Sequence, residues 1–187
     1  MKKLILMTGI FFSSLFSFDL QAQKNEIQVN VLGTLLNCYG VTYERGYIDT
    51  GWATGLFFFN NPSSFDYDYS AFSLTSEFRF YFKGEEEATG YFVAPYLNYR
   101  YTSAPEYATI NTTEIEKSTN GLAIGINTGK KWVHRTGFMY GTHIGIGRYV
   151  FDEASYSGGY EPDDFASGLD ELPKLDLRLG VNIGFRF

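Results

Sequence analysis

Nine side chains that can hold charge or move a proton stand at alternate positions of segments whose other positions are apolar. They are Glu44, Glu77, Arg79, Arg100, Lys131, His143, Asp176, Arg178 and Arg186. Three carboxylates among five cations and an imidazole could form ion pairs in a confined polar space. They could also do acid–base or nucleophilic catalysis, which needs a base within hydrogen-bond reach of a nucleophile. The chain has only two histidines. His134 lies beside Arg135 in a short polar stretch, and the residue two along from His143 on its own face is Gly145, neither nucleophile nor orienting carboxylate. No Gly-rich phosphate loop, metal-ligand spacing or cofactor motif accompanies them. The reading is a charge network without catalysis, metal or cofactor.

A period of two positions these side chains. In the last thirteen residues, Leu175, Leu177, Leu179, Val181, Ile183, Phe185 and Phe187 form one face, and Asp176, Arg178, Gly180, Asn182, Gly184 and Arg186 form the other. Such alternation predicts a β-strand, and a face that is polar or charged throughout does not meet a dry core. The segment exceeds the roughly 9 to 11 tilted residues with which a strand crosses a bilayer, so it predicts a transmembrane barrel strand.

The N-terminus points to the same compartment. Met1-Lys2-Lys3 is basic, Leu4 to Phe18 is apolar, and Ala22 precedes a polar stretch, which predicts a secretory signal peptide over residues 1–23 and a mature barrel over 24–187. About fifteen apolar residues, interrupted by Ser13, Ser14 and Ser17, fall short of the roughly 20 that a spanning helix needs. Cys38 is the lone cysteine, so it forms no internal disulfide and reads as a small hydrophobe. Aromatics are 19% of the chain while mean hydropathy is only −0.16, as expected where alternation hides hydrophobicity from averages. The formal charge of −6 becomes −7 once Lys2, Lys3 and Asp19 leave with the signal, which argues against nucleic acid as a partner.

Seven further strands are expected: Ile27 to Leu35, Asn37 to Arg45, Thr50 to Asn60, Ser70 to Phe82, Gly90 to Ser103, Ser118 to Val133 and Thr136 to Val150. The count of eight depends on dividing Ile27 to Arg45 near Gly33 to Asn37, where Leu35-Leu36-Asn37 is poor hairpin chemistry; otherwise Ile27 to Leu36 lies at the membrane interface without spanning. Joins at about 46–50, 83–89 and 134–137 are short, and those at about 61–69, 104–117 and 151–174 are long. This alternation suits periplasmic turns and extracellular loops, with both termini periplasmic. The fold class is all-β, an eight-stranded antiparallel transmembrane β-barrel. A soluble barrel of lipocalin type would instead turn apolar residues inward.

Strand by strand, Phe72, Leu74, Phe78, Phe80 and Phe82 oppose Ser73, Thr75, Glu77, Arg79 and Tyr81, and Leu122, Ile124, Ile126 and Trp132 oppose Ala123, Gly125, Asn127, Gly129 and Lys131. The nine charged or titratable residues therefore share the lumen, which in an eight-stranded barrel is just wide enough for side chains to fill. Glu44 or Glu77 with Arg79 or Arg186 is the expected pairing. A plugged lumen follows, with a narrow pore or small-ligand channel as the alternative. Third comes a lipid-modifying enzyme, which would need His with Ser at the outer rim. Acidic, Tyr-rich loops, Phe65 to Tyr69 and Asp152 to Glu171, suit contact with lipopolysaccharide through shared divalent cations, or with an extracellular ligand.

The runs Tyr43-Glu44-Arg45, Glu77 to Phe82, Tyr91 to Tyr101, and Leu172-Pro173-Lys174-Leu175 leading to Phe187 resemble a family of small, functionally uncharacterised outer-membrane barrels of Gram-negative bacteria. The likeness covers nearly the whole mature chain. It implies an outer-membrane barrel embedded in lipid and lipopolysaccharide. It also implies that the C-terminal Phe185 and Phe187 are a signal read by the barrel-assembly machinery, and it implies no reaction. More distantly the chain is similar to the barrel half of OmpA-type porins, without their peptidoglycan-binding domain.

Overall fold

The computed structural model describes residues 25–60, 70–82, 84, 86–107, 114–156 and 174–187. Eight strands follow one another around a closed antiparallel barrel: β1 (Asn25–Asn30), β2 (Cys38–Gly46), β3 (Thr50–Asn60), β4 (Ser70–Phe82), β5 (Gly90–Tyr107), β6 (Glu114–Val133), β7 (Phe138–Tyr156) and β8 (Leu175–Arg186). Closure is made by β8 returning to β1, with Asn25 and Phe187 exchanging backbone hydrogen bonds of 3.1 and 2.8 Å. A closed sheet leaves no edge with unpaired backbone, which is why eight alternating segments settle into a cylinder. The proposed signal peptide lies outside the described residues.

Two boundaries differ from the sequence reading. The first strand stops at Asn30 instead of running to Leu35, and one turn of helix, α1 (Val31–Leu35), takes its place. Asn30 causes the change: its side-chain oxygen accepts from Gly33 N at 2.9 Å, an N-cap that starts a helix where a hairpin was expected. Leu36 N then donates to Gly33 O, and Asn37 adopts a left-handed φ of 57°, which turns the chain into β2 at Cys38. The second difference lies at the same end of the barrel. The 104–117 join is mostly ladder, since Ala104 to Tyr107 pair with Lys117 to Glu114, and β7 likewise continues past Val150 to Tyr156 against β6. The wall is therefore tall along β5–β7 and low where β8, β1 and β2 meet.

The faces divide as the alternation requires. Large apolar side chains such as Tyr39, Trp52, Leu74, Leu97, Ile126, Ile144, Leu177 and Phe185 point out and are exposed, while Glu26, Glu44, Glu77, Arg79, Lys131, His143, Asp176 and Arg186 point in and are buried and Arg100 and Arg178 are half-buried. The end carrying Asn25 and Phe187 is floored by the β4–β5 turn. There Ala88 N donates to Ile48 O at 2.9 Å, and Tyr81, Ala88, Phe92 and Ala94 form a small apolar cluster.

Candidate functional site

Inside the barrel, long side chains are accommodated because glycines stand opposite them. Tyr96 lies across Gly125 and Gly147, which face each other on β6 and β7; a Cβ at Gly125 would come 2.6 Å from Tyr96 Cζ, and one at Gly147 would come 2.4 Å from its hydroxyl oxygen. Gly180 makes the same room for the ring of His143. Into the space so defined project two tiers of polar side chains.

The tier nearer the termini is a balanced cluster of three carboxylates and three cations. Glu26 and Glu44 face each other on β1 and β2, and both are 0% exposed. Two like charges directly opposite on neighbouring strands repel. Lys131 resolves this from across the lumen, with Nζ 2.8 Å from Glu26 Oε2 and 2.9 Å from Glu44 Oε1, while Gln28 Nε2 donates to both carboxylates at 3.2 and 3.0 Å. Arg79 spans from Glu44 Oε2, at 2.7 Å, to Glu77 Oε1 on its own strand. Asn127 Nδ2 donates to the other Glu77 oxygen at 2.8 Å, and Tyr81 OH donates to Glu44. Arg186 donates to Glu26 Oε1 from both Nε and Nη2, and Nη2 also reaches Ala88 O in the floor.

Of the pairings expected from sequence, Arg79 joins both Glu44 and Glu77. Arg186 does not pair with either; its partner is Glu26. Glu26 and Gln28 of β1 complete the cluster beyond the nine residues expected from the sequence. The signal for them was present, since Glu26, Gln28 and Asn30 alternate with Ile27, Val29 and Val31.

Asp176, Arg178 and Arg100 form no ion pair with that cluster among the described residues, a correction to the single network expected for all nine, and His143 is linked to it only through Asn182, whose Nδ2 donates to Gln28 Oε1 at 3.3 Å. Asp176 takes hydrogen bonds from Asn98 Nδ2, at 3.2 and 3.3 Å, and from Tyr149 OH at 3.4 Å. Arg100 stacks on Tyr149, its Cζ 4.4 Å from the ring centre, and Arg178 lies between Tyr96 and Phe57 at 4.9 and 5.6 Å. His143 Nδ1 is 3.3 Å from Asn182 Nδ2, and no hydroxyl or carboxylate partners it among the described residues. His134 sits in the exposed β6–β7 turn against Thr136. This second tier borders a cavity of about 360 Å³ lined by Asn30, Cys38, Phe57, Phe59, Ala71, Ser73, Asn98, Arg100, His143, Asp176, Leu177, Arg178 and Leu179. The acidic loop runs 65–69 and 157–171 lie outside the described residues, whereas Asp152 and Glu153 are exposed on β7.

The class of protein is thus a closed eight-stranded β-barrel, apolar outside and ion-paired inside. A family model described as "Protein of unknown function (DUF3575)" matches residues 8–168, and the chain belongs to that family. No curated protein and no solved structure matches it.

Proposed function

We propose that the protein is a transmembrane barrel of the outer membrane of a Gram-negative bacterium, with both termini periplasmic. Its role is structural or surface-interacting and not catalytic. The observation that carries this reading is the pairing of opposites across one wall: an apolar outer belt, and a lumen crossed by six buried, mutually neutralised charges. Water on the outside would leave dozens of large apolar side chains exposed, far beyond the patches that soluble monomers carry. Hydrocarbon on the outside, with every strand paired around a closed ring, suits the same surface.

The buried cluster also supports a plug over a pore, because ions crossing it would have to displace Lys131 from Glu26 and Glu44, and Arg79 from Glu44 and Glu77. On this reading the partners are outer-membrane lipid, lipopolysaccharide and the barrel-assembly machinery, and the acidic loops meet the cell exterior.

An epitope inserted near Asp163, in the β7–β8 connection, should be accessible to antibody on intact cells, while an epitope in the 134–137 turn should not. Purified protein in planar bilayers should show no stable conductance, and lipid A mass spectra should be the same with and without it. Reversed epitope exposure would overturn the orientation, steady single-channel currents would establish the pore, and altered lipid A would establish the enzyme.

A further inference from the structure

The cavity of the second tier lies beside the low side of the barrel wall. β8 pairs with β7 from Leu175 to Phe185 but with β1 only from Asn182 to Arg186, because β1 ends at Asn30. Likewise β1 covers β2 only up to Val41, leaving Cys38 to Gly40 paired with β3 alone. Between these two stretches stands α1, a single helical turn, in place of a strand. The cavity is bordered both by Asp176 and Arg178, which point inward from β8, and by Leu177 and Leu179, which point outward and are 72% and 65% exposed. α1 packs against both β8 and β2 there, so the cavity ends beside the low side of the wall, next to this single turn.

The interior end of this cavity holds an unmet donor. Arg178 Nη1 is buried without a hydrogen-bond partner, in a guanidinium held between the rings of Tyr96 and Phe57. Buried N–H groups of a charged side chain are ordinarily satisfied, and one left open is costly. The carboxylates that reach this part of the lumen are already engaged, Glu77 by Arg79 and Asn127, and Asp176 by Asn98 and Tyr149. Arg100 borders the same space, so the cavity carries two guanidinium groups against one carboxylate. Phe57, Phe59, Ala71 and the two leucines add apolar lining beside the polar Asn30, Ser73, Asn98 and His143, and about 360 Å³ falls within the range of small-molecule sites.

We propose that this cavity binds a single-chain amphiphile with an anionic head. The head sits on Arg178 and Arg100, and the chain lies along β8 toward Leu177 and Leu179, at the low side of the wall. That the ligand comes from the bilayer rests on the membrane reading above; the site itself does not. The test uses refolded full-length protein, in zwitterionic detergent and in phosphatidylcholine bilayers, with a long-chain fatty acid carrying a photoreactive diazirine near its chain end. The alcohol of the same chain is the neutral control.

Saturable labelling confined to Leu175–Val181 and the Cys38–Gly40 stretch is expected, with the alcohol at least about tenfold weaker. Arg178→Gln should weaken the acid by about tenfold or more, as loss of a charge-assisted hydrogen bond does. Ala71→Phe, which narrows the cavity and leaves both arginines in the sequence, should also reduce labelling, and it keeps the proposal testable if Arg178→Gln does not fold. Equal labelling by acid and alcohol, labelling spread around the whole outer belt, or insensitivity to a folded variant would each overturn the proposal. Quenching of Trp52 and Trp132 by brominated lipid scores insertion separately. Quenching without site-specific labelling removes the site alone, and labelling in detergent without quenching supports the site and removes the bilayer as its source.

Discussion

Arg186 of the last strand and Glu26 of the first are direct register partners across the line where the barrel closes, and Arg186 holds one Glu26 oxygen from two nitrogens, at 2.8 and 2.6 Å. The pair lies where closure has the fewest backbone bonds to rely on, since β1 is six residues long. Lys131, reaching across the lumen to the same Glu26, ties this closure to the opposite wall.

Arg186→Ala should therefore leave Glu26 with Lys131 and Gln28 alone and lower stability by about 3 kcal/mol, the scale of breaking a buried pair from one side. Urea unfolding of the refolded barrel, followed by tryptophan fluorescence and heat-modified gel mobility, measures it. A midpoint unchanged from wild type would remove the pair from the account of closure.

Arg79→Ala strips one partner each from Glu44 and Glu77, both buried, and should cost more than about 2 kcal/mol. Replacing Glu77 as well, as Arg79→Met with Glu77→Gln, should recover part of the loss, because fewer unpaired charges remain in the lumen. A double-mutant cycle with no coupling between the two positions would contradict the geometry.

Gly125→Ala places a Cβ 2.5 Å from Ile146 O and 2.6 Å from Tyr96 Cζ, contacts that backbone on one side prevents from relaxing freely. The expected penalty is about 1 to 3 kcal/mol, as for overpacking elsewhere. Pairing it with Tyr96→Leu should lessen the penalty, and equal unfolding midpoints for Gly125→Ala and wild type would show that Tyr96 does not rest there.

Phe187→Ala keeps the backbone bonds to Asn25 and removes only the ring, so stability after refolding in vitro should change by less than about 1 kcal/mol. In cells, on the outer-membrane reading, the amount of assembled barrel should fall several-fold, because the terminal aromatic is what the assembly machinery is proposed to read. Deletion of Phe187 should be worse on both counts. Wild-type surface levels for Phe187→Ala would refute the assembly role.

Alternation along the strands shows their inward and outward faces and the polar character of the lumen, while the count of eight also needed Ile27 to Arg45 to be divided. A period of two is a local property of the backbone, visible at Leu175 to Phe187 without any knowledge of neighbours. Alternation also placed Glu44, Glu77, Arg79 and Lys131 inside. What it could not supply was which charge meets which, because that depends on the stagger between strands: Lys131 reaches Glu26, 105 positions away, only when β6 and β1 face each other across a closed ring.

The end of the first strand is set locally, by a side-chain cap that the alternation of apolar residues does not reveal. An N-cap at Asn30 and a left-handed Asn37 turn a strand-like apolar run into a helical turn, and this lowers the wall at one seam. Local sequence determined that the chain would be a barrel, greasy outside and charged inside. The register of closure separated those charges into a neutral, ion-paired cluster and a cavity bordered by two arginines, because only closure brings residues from opposite ends of the chain within the few ångströms over which charges pair.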